Sequence, residues 1–295
     1  MAIIRAPKFF PLEAIKEPIA QPRDRASSLP ERSRLAPRAQ LLRPKITAAI
    51  PCYNEGQFIG DLVLQTRRLV DQVVVVNDGS QDGTSSAARA AGALVVEHGS
   101  NKGYGEAIAS CFQAARKTDT DILVTLDGDN QHTPDDITAL TGPIVRGEAD
   151  IVIGSRFLKQ SPQTNMRRYR RLGIRMITWL CNVGSPVKMT DSQSGFRAYR
   201  RSVIESVTLT DRRMGASVEL LIKARKKGFI ICEVPITCRY HSESSKQNPV
   251  LHGLGVVLAV VVFRLKNMWP VNGASAESGI GRNDQNAVSQ ESASR

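Results

Sequence analysis

Two carboxylates stand one residue apart in LDGDNQH, residues 126–132: Asp127 and Asp129, with Gly128 between them and Gln131 and His132 following. With only a glycine separating them, both side chains can face one point in a tight bend, where their charges repel unless a cation lies between. Hard divalent ions such as Mg²⁺ and Mn²⁺ take carboxylate, carbonyl and water oxygens, and Mg²⁺ typically uses one or two carboxylates together with substrate phosphates. The spacing therefore suits a metal that bridges protein and diphosphate. Taken alone, Asp-Gly is an ordinary turn sequence, and Asp129 or Asn130 can simply cap a following helix. Position favours the metal reading, because an apolar strand ends at this point and further polar clusters close the neighbouring strands.

Those strands set the frame. KITAAIPCYNEG is a short apolar run stopped by Pro51 and a polar turn to Glu55. DQVVVVNDGSQDGT is a β-branched run closed by Asn77 to Ser80, with Asp82 placed to cap an Ala-rich helix. GALVVEHGSNKGYGEAIASCFQAARK repeats strand, glycine loop and helix; ADIVIGSRF supplies a fifth strand ending at Gly154 to Arg156. Continuous Val and Ile runs alternating with helices predict an α/β fold with a mostly parallel central sheet flanked by helices on both faces. Ligands of such sheets lie outside the carboxyl ends of the strands, so the clusters are expected to converge on one cleft. The dinucleotide and P-loop signatures are absent: Gly103 and Gly105 are present, but residue 108 is Ile and no Gly-Lys-Ser/Thr follows.

Composition bounds the partners. A formal charge of +12 over 295 residues calls for an anionic partner: nucleic acid, anionic lipid or phosphorylated small molecules. Aromatics make up 5%, and no stretch alternates Lys or Arg with Phe, Tyr or Trp in a sustained way, which argues against a base-stacking surface for single strands. Five scattered cysteines without a Cys-x-x-Cys pair read as reduced thiols of a cytoplasmic protein. Residues 1–44 read as a disordered basic arm and 271–295 as a disordered tail, flanking a folded domain over 45–247. No secretory signal is visible. The run VLHGLGVVLAVVVF, 250–263, within a segment 248–270, is shorter than the ~20 residues of a spanning helix. It reads equally as a buried core helix or as an interfacial one flanked by Arg264, Lys266 and Trp269.

Seven stretches in order, IPCYNEG, VVVNDGSQDGT, NKGYGEAI, LDGDNQH, IGSRF, DSQSGFRAYR and VPITCRYHSESSK, resemble the family 2 inverting glycosyltransferases of the GT-A fold. Most closely they are similar to polyprenyl-phosphate hexosyltransferases of the dolichol-phosphate mannose synthase type, over roughly residues 45–247. The resemblance implies a GT-A nucleotide-diphospho-sugar transferase fold. It also implies a nucleotide-sugar pocket at Pro51, Tyr53, Glu55 and Asp78, and a Mg²⁺ or Mn²⁺ site formed by Asp127, Asp129 and Gln131. His132 is expected to support that site rather than to ligate the metal. Arg156, Arg170 and Arg239 correspond to basic positions around the donor and acceptor phosphates. Arg171, Arg175, Ser194 and Lys246 are expected to join them on the acceptor side. Asp191 falls where many family members place a general base; a lipid phosphate is already anionic, so here it is expected to orient groups instead. One departure stands out: where relatives can present serine or asparagine to the acceptor phosphate, this chain has Ile174.

An independent physical reason for an anion near 165–180 comes from NMRRYRRLGIRMITWL. On a helix Arg167, Arg171 and Arg175 share one face with Arg168 beside them, and like charges at that spacing repel by a few tenths of a kcal/mol per pair. The leading expectation is a metal-dependent transferase moving a hexose from a GDP- or UDP-sugar to polyprenyl or dolichyl phosphate. It would sit peripherally on the anionic cytoplasmic face of the membrane, with no nucleic acid bound. Two alternatives stand beside it: the same donor chemistry with a soluble or saccharide hydroxyl acceptor, and a basic nucleic-acid-binding module supported by charge alone.

Overall fold

β-Branched, fully buried runs form the centre of the molecule. In the computed structural model, which describes residues 43–162, 166–183, 188–213 and 215–240, Val73 to Val76 are all buried in β2 (Gln72–Asn77), between β1 (Ile46–Cys52) and β3 (Leu94–Glu97). Burying each such valine contributes about 1.5–3 kcal/mol, and the stiff branched side chains favour the pleated backbone. The described residues belong to one compact unit, Arg43–Arg295. The N-terminal arm, the run 250–263 and the tail lie outside the described residues, as does Lys246.

Strand and helix alternate as the sequence predicts: α1 (Gly56–Thr66) follows β1, α2 (Thr84–Ala90) follows β2, and α3 (Tyr104–Lys117) follows β3. β4 (Ile122–Thr125) is followed by a 3-10 turn (Pro134–Asp136), α4 (Ile137–Val145) and β5 (Ile151–Ser155). The second half contributes α5 (Arg168–Asn182), β6 (Arg197–Arg200), α6 (Arg201–Ser206), α7 (Ala216–Lys226) and β7 (Ile231–Pro235). The sheet order is β3-β2-β1-β4-β6-β5-β7, with β6 antiparallel to both neighbours and the other pairings parallel.

The period-2 pleat splits the strand residues between two cores. Ala49, Val74 and Val76 pack with Ile108, Cys111 and Phe112 of α3 and with residues of α5, α6 and α7. Ala48, Ile50, Val73 and Val75 pack on the other face with Ile59 and Leu62 of α1 and Leu140 and Ile144 of α4. The sheet is thus covered on both sides, as parallel strands require. All five cysteines are free, and four of them are buried. Between β1 and β4 the strand order reverses direction, which opens a crevice at their carboxyl ends.

Candidate active site

The turn after β4 occupies that crevice. Leu126 is fully buried and its N–H is bonded to the Ala49 carbonyl, which holds the chain against β1 until Asp127. Asn130 then adopts φ 56°, and the Asp129 Oδ1 accepts the Gln131 N–H at 3.1 Å, closing the turn. Gly128 is required by close approach, since a Cβ there would lie 2.6 Å from Cys52 Sγ, with Glu55 Cγ at 3.5 Å. Pro51, Glu55, Asp127 and Asp129 are thereby gathered in one place. The Asp127 carboxylate packs directly on Gly195 and faces His132 Nε2 at 3.6 Å, with about a third of its side chain still exposed. His132 is buried against Phe196, and among the described residues its Nδ1 has no hydrogen-bond partner.

The two carboxylates differ electrostatically. Burial pushes Asp127 up, but the hydrogen bond and charge of His132, with Arg156 and Arg197, outweigh it and hold the carboxyl below its ordinary value. Burial pushes Asp129 above its ordinary value, and the negative charge of Asp127 adds to this. Such a pair is relieved by a cation. Among the described residues no three His, Cys, Asp or Glu side chains gather as a metal cage. Two hard carboxylates without a third such ligand fit Mg²⁺ or Mn²⁺, which complete their shells with water and phosphate oxygens. They do not fit a structural zinc site.

Two loops at neighbouring strand ends are locked to each other. Asn54, at φ 57°, donates its N–H to Ser80 Oγ at 2.8 Å and accepts from the Gln81 N–H at 3.0 Å. Asp82 accepts from the N–H groups of Gly56 (2.9 Å) and Thr84 (3.0 Å); the N-cap position of α2 is Gly83, and Asp82, expected there, instead ties the start of α1 to the first residue of α2. Tyr53 is exposed at this rim. Asp78 is buried, and its oxygens accept from the N–H groups of Lys102 (2.9 Å) and Gly103 (2.8 Å) and meet His98 Nδ1 at 2.6 Å. Its carboxylate therefore holds the glycine loop. Gly105 serves packing there, since a Cβ would meet the Asp211 carbonyl at 2.4 Å.

The loop before β6 carries a buried ion pair. Arg156 Nε and Nη2 donate to Asp191 Oδ2 and Oδ1 at 2.7 and 2.8 Å, its main-chain N–H adds a bond of 3.2 Å, and Nη1 reaches Tyr240 Oη at 3.1 Å. Asp191 is completely buried. Burial opposes its charge, but Arg156 overcomes this and holds the carboxyl below its ordinary value. Ser194 is buried too, its hydroxyl accepting from the Phe196 N–H at 3.3 Å. Arg197, 1% exposed, gathers the carbonyls of Ser194, Ser192 and Ser217 at 2.8 to 3.0 Å.

The chain beyond β7 is stapled to the Asp127–Asp129 turn. Thr237 N–H donates to Asp136 at 2.7 Å, Arg239 N–H to the Gln131 carbonyl at 2.9 Å, and Cys238 bridges His132. This brings Arg239, exposed, beside the turn, and places Tyr240 under the Arg170 guanidinium at 4.8 Å. Arg170 is close enough to lower the Asp129 carboxyl in part. α5 separates the arginines, because Arg171 and Arg175 lie on its exposed face whereas Arg170 turns toward Tyr240. Ile174 is buried on the core-facing side. Sequence reasoning missed Tyr240, Arg197 and Glu233; the first two lie within VPITCRYHSESSK and DSQSGFRAYR, but their partners come from distant segments, and Glu233 is a single acid on a strand outside any motif.

Comparison with known proteins agrees with this architecture. The profile described as Glycosyl transferase family 2 matches residues 47–208. A UDP-N-acetylglucosamine–dolichyl-phosphate N-acetylglucosaminyltransferase of Methanococcus voltae is 32% identical over 238 residues, 72% of this chain and 91% of that protein. A dolichyl-phosphate hexose transferase of Haloferax volcanii is 32% identical over 71% of this chain and 89% of its own length. Among solved structures, glucosyl-3-phosphoglycerate synthase of Mycobacterium tuberculosis, crystallised with Mn²⁺, UDP and glucosyl-3-phosphoglycerate, superposes with a TM-score of 0.61 at 23% identity. The match covers 75% of this chain and 80% of that one, and shows a shared GT-A fold. With the family profile spanning more than half of its length, this chain belongs to glycosyl transferase family 2.

Proposed function

We propose that this glycosyltransferase moves a hexose from a nucleotide-diphospho-sugar to a polyprenyl phosphate, with inversion, at a membrane surface. The observation that carries the reading is the paired carboxylates of Asp127 and Asp129, set in the β1/β4 crevice beside the positive charges of Arg156 and Arg170. The relatives whose names specify dolichyl phosphate supply the acceptor class. Asp127 and Asp129, with Gln131 beside them, would hold a Mg²⁺ or Mn²⁺ ion, which when bound neutralises charge on the departing diphosphate. Pro51, Tyr53 and Glu55 line the nucleoside side, and Asp78 shapes it through the 98–103 loop. Arg170 and Arg239 present positive charge to the phosphates, and the buried Arg156 adds its charge to the field beside Asp127.

An acceptor phosphate oxygen is anionic at neutral pH and needs no base. The burial of Asp191 and its two-point bond to Arg156 support an orienting role for this carboxylate. Support for a membrane surface comes from α5. Tyr169, Leu172, Met176, Trp179 and Val183 form an exposed apolar stripe at helical spacing, with the exposed Arg168, Arg171 and Arg175 beside it. That combination suits an anionic lipid interface. No described helix is long and apolar enough to cross a membrane.

The test is transfer of label from a panel of UDP- and GDP-sugars to polyprenyl phosphate in the presence of Mn²⁺ or Mg²⁺, with Asp129→Asn as the control. Organic-phase product from the parent and none from the variant is the expected result. Label appearing only on soluble sugars, or undiminished transfer by the variant, overturns the reading.

A further inference from the structure

The carboxylate of Glu233, on β7, has no assigned part in the chemistry above, yet it organises the ion pair that does. Both of its oxygens accept the Thr190 N–H at 2.9 and 2.8 Å, Oε2 accepts the Thr190 hydroxyl at 2.9 Å, and Oε1 accepts the Asp191 N–H at 2.9 Å. Because the Thr190 hydroxyl gives its one proton to Glu233, it must accept from Ser155 Oγ, 2.6 Å away at the end of β5. Ser155 immediately precedes Arg156. The acid therefore ties together the two segments that supply the Arg156–Asp191 pair. β7 and β5 are parallel neighbours, with Glu233 opposite Ile153, so the anchor stands on the same rigid sheet as the arginine it serves.

The same device occurs a second time, which separates its two effects. TDSQSG at 190–195 is echoed by TDRRMG at 210–215, and there Glu219 accepts the Thr210 N–H, the Thr210 hydroxyl and the Asp211 N–H. In the second copy the aspartate turns back on its own loop, accepting the Arg213 N–H at 2.6 Å. In the first, the aspartate is presented outward to a guanidinium 35 residues away. A glutamate that grips a Thr-Asp main chain leaves the aspartate side chain available to be aimed; only at 190–191 is it aimed at the site.

We propose that Glu233 is a positioning residue for sugar transfer: by fixing the Thr190–Asp191 main chain it sets the two-point register of Asp191 on Arg156, and so the placement of the Arg156 charge beside Asp127. The reaction half of this rests on the transferase reading above; the geometric half does not. A glutamine at 233 would keep the shape, but an amide NH2 in place of Oε2 would face the Thr190 N–H and force the Thr190 hydroxyl to turn from donor to acceptor, and the register would loosen. A misplaced group of this kind costs rate more than affinity, because the donor's other contacts are untouched.

The experiment has two arms on the full-length protein. In the first, the Arg156 Nε–H signal of ¹⁵N-arginine-labelled protein, assigned by its loss in Arg156→Lys, is followed by hydrogen exchange; Glu233→Gln is expected to speed its exchange about tenfold or more. In the second, Glu233→Gln is expected to lower kcat about tenfold or more with the nucleotide-sugar KM within about twofold of the parent. Thr190→Val should act in the same direction and Thr190→Ser should restore the parental values, which decides the matter if Glu233→Gln does not fold. Unchanged exchange overturns the proposal, and so does faster exchange with unchanged kcat. A parent that transfers nothing to polyprenyl phosphate sinks the functional reading instead, while the exchange arm still tests the positioning of Arg156.

Discussion

Gly195→Ala adds a single methyl group where the 190–195 loop meets the carboxylate pair. A Cβ at this position would lie 2.5 Å from Asp127 Oδ2, 2.6 Å from Oδ1 and 2.8 Å from Cγ. Ordinary contact begins at 3.4 Å, so one side must retreat by about 0.9 Å, the difference between 3.4 and 2.5 Å. The loop is poorly able to yield. Thr125 Oγ1 bonds the Gly195 carbonyl at 2.9 Å, Arg197 holds the carbonyls of Ser192 and Ser194, and Glu233 holds the N–H groups of Thr190 and Asp191. The Asp127 side chain, partly exposed, is the softer partner and is expected to swing away. A displacement near 1 Å at a group that positions the reacting parts costs about 10²-fold in rate, whereas overpacking costs about 1–3 kcal/mol in stability. The variant should therefore remain folded, with a modest fall in Tm, while kcat/KM drops about a hundredfold and the Mn²⁺ midpoint of activation rises. Calorimetry and a metal titration of transfer measure the two effects separately. Turnover and metal midpoint within about threefold of the parent would refute the claim that Asp127 must stand where Gly195 lets it.

Three further outcomes are expected. In metal-free protein Asp129→Asn should raise stability: burial and the charge of Asp127 hold this carboxyl above its ordinary value, so parental stability falls as pH rises from the ordinary to the raised value, a loss that an amide does not suffer. Denaturant unfolding at pH 4 and pH 7 measures this, and a variant less stable than the parent at pH 7 contradicts it. Asp191→Asn leaves the buried Arg156 charge uncompensated, at a cost of about 3–5 kcal/mol. Because the folded carboxyl is depressed, the stabilisation it supplies is present above the unfolded pKa and is lost as pH falls through the folded one. Residual turnover of that variant should not recover at high pH; recovery would mark Asp191 as a true base. Finally, the double variant Leu172→Glu, Trp179→Glu should lose sedimentation with phosphatidylglycerol vesicles at low salt, and equal sedimentation of parent and variant would remove the α5 stripe as a lipid contact.

Much of the layout is legible in the chain because strand ends announce themselves. Val73 to Val76 can only be a buried strand, and the polar residues that follow must leave the sheet at its carboxyl edge, where a parallel sheet puts its ligands. The convergence of Pro51, Glu55, Asp127 and Asp129 follows from that alone. The arginines of α5 were harder to place. Helical spacing puts Arg167, Arg171 and Arg175 on one face, yet Arg170, one position away and so about 100° around the helix, is the one that turns toward Tyr240.

Hydrophobic pattern specifies which segments bury, and residue chemistry specifies what a cluster can hold; both are local and can be read along the chain, as can the family resemblance. Pattern does not specify the order of strands or which buried polar groups meet. β6 enters the sheet antiparallel between β4 and β5, and that insertion carries Gly195 against Asp127 and Asp191 against Arg156. Likewise Glu233 finds Thr190 across 43 residues because β7 lies beside β5. Such pairings are fixed by long-range packing, where a buried charge must find its partner or the fold loses several kcal/mol, and no local pattern along the chain encodes them.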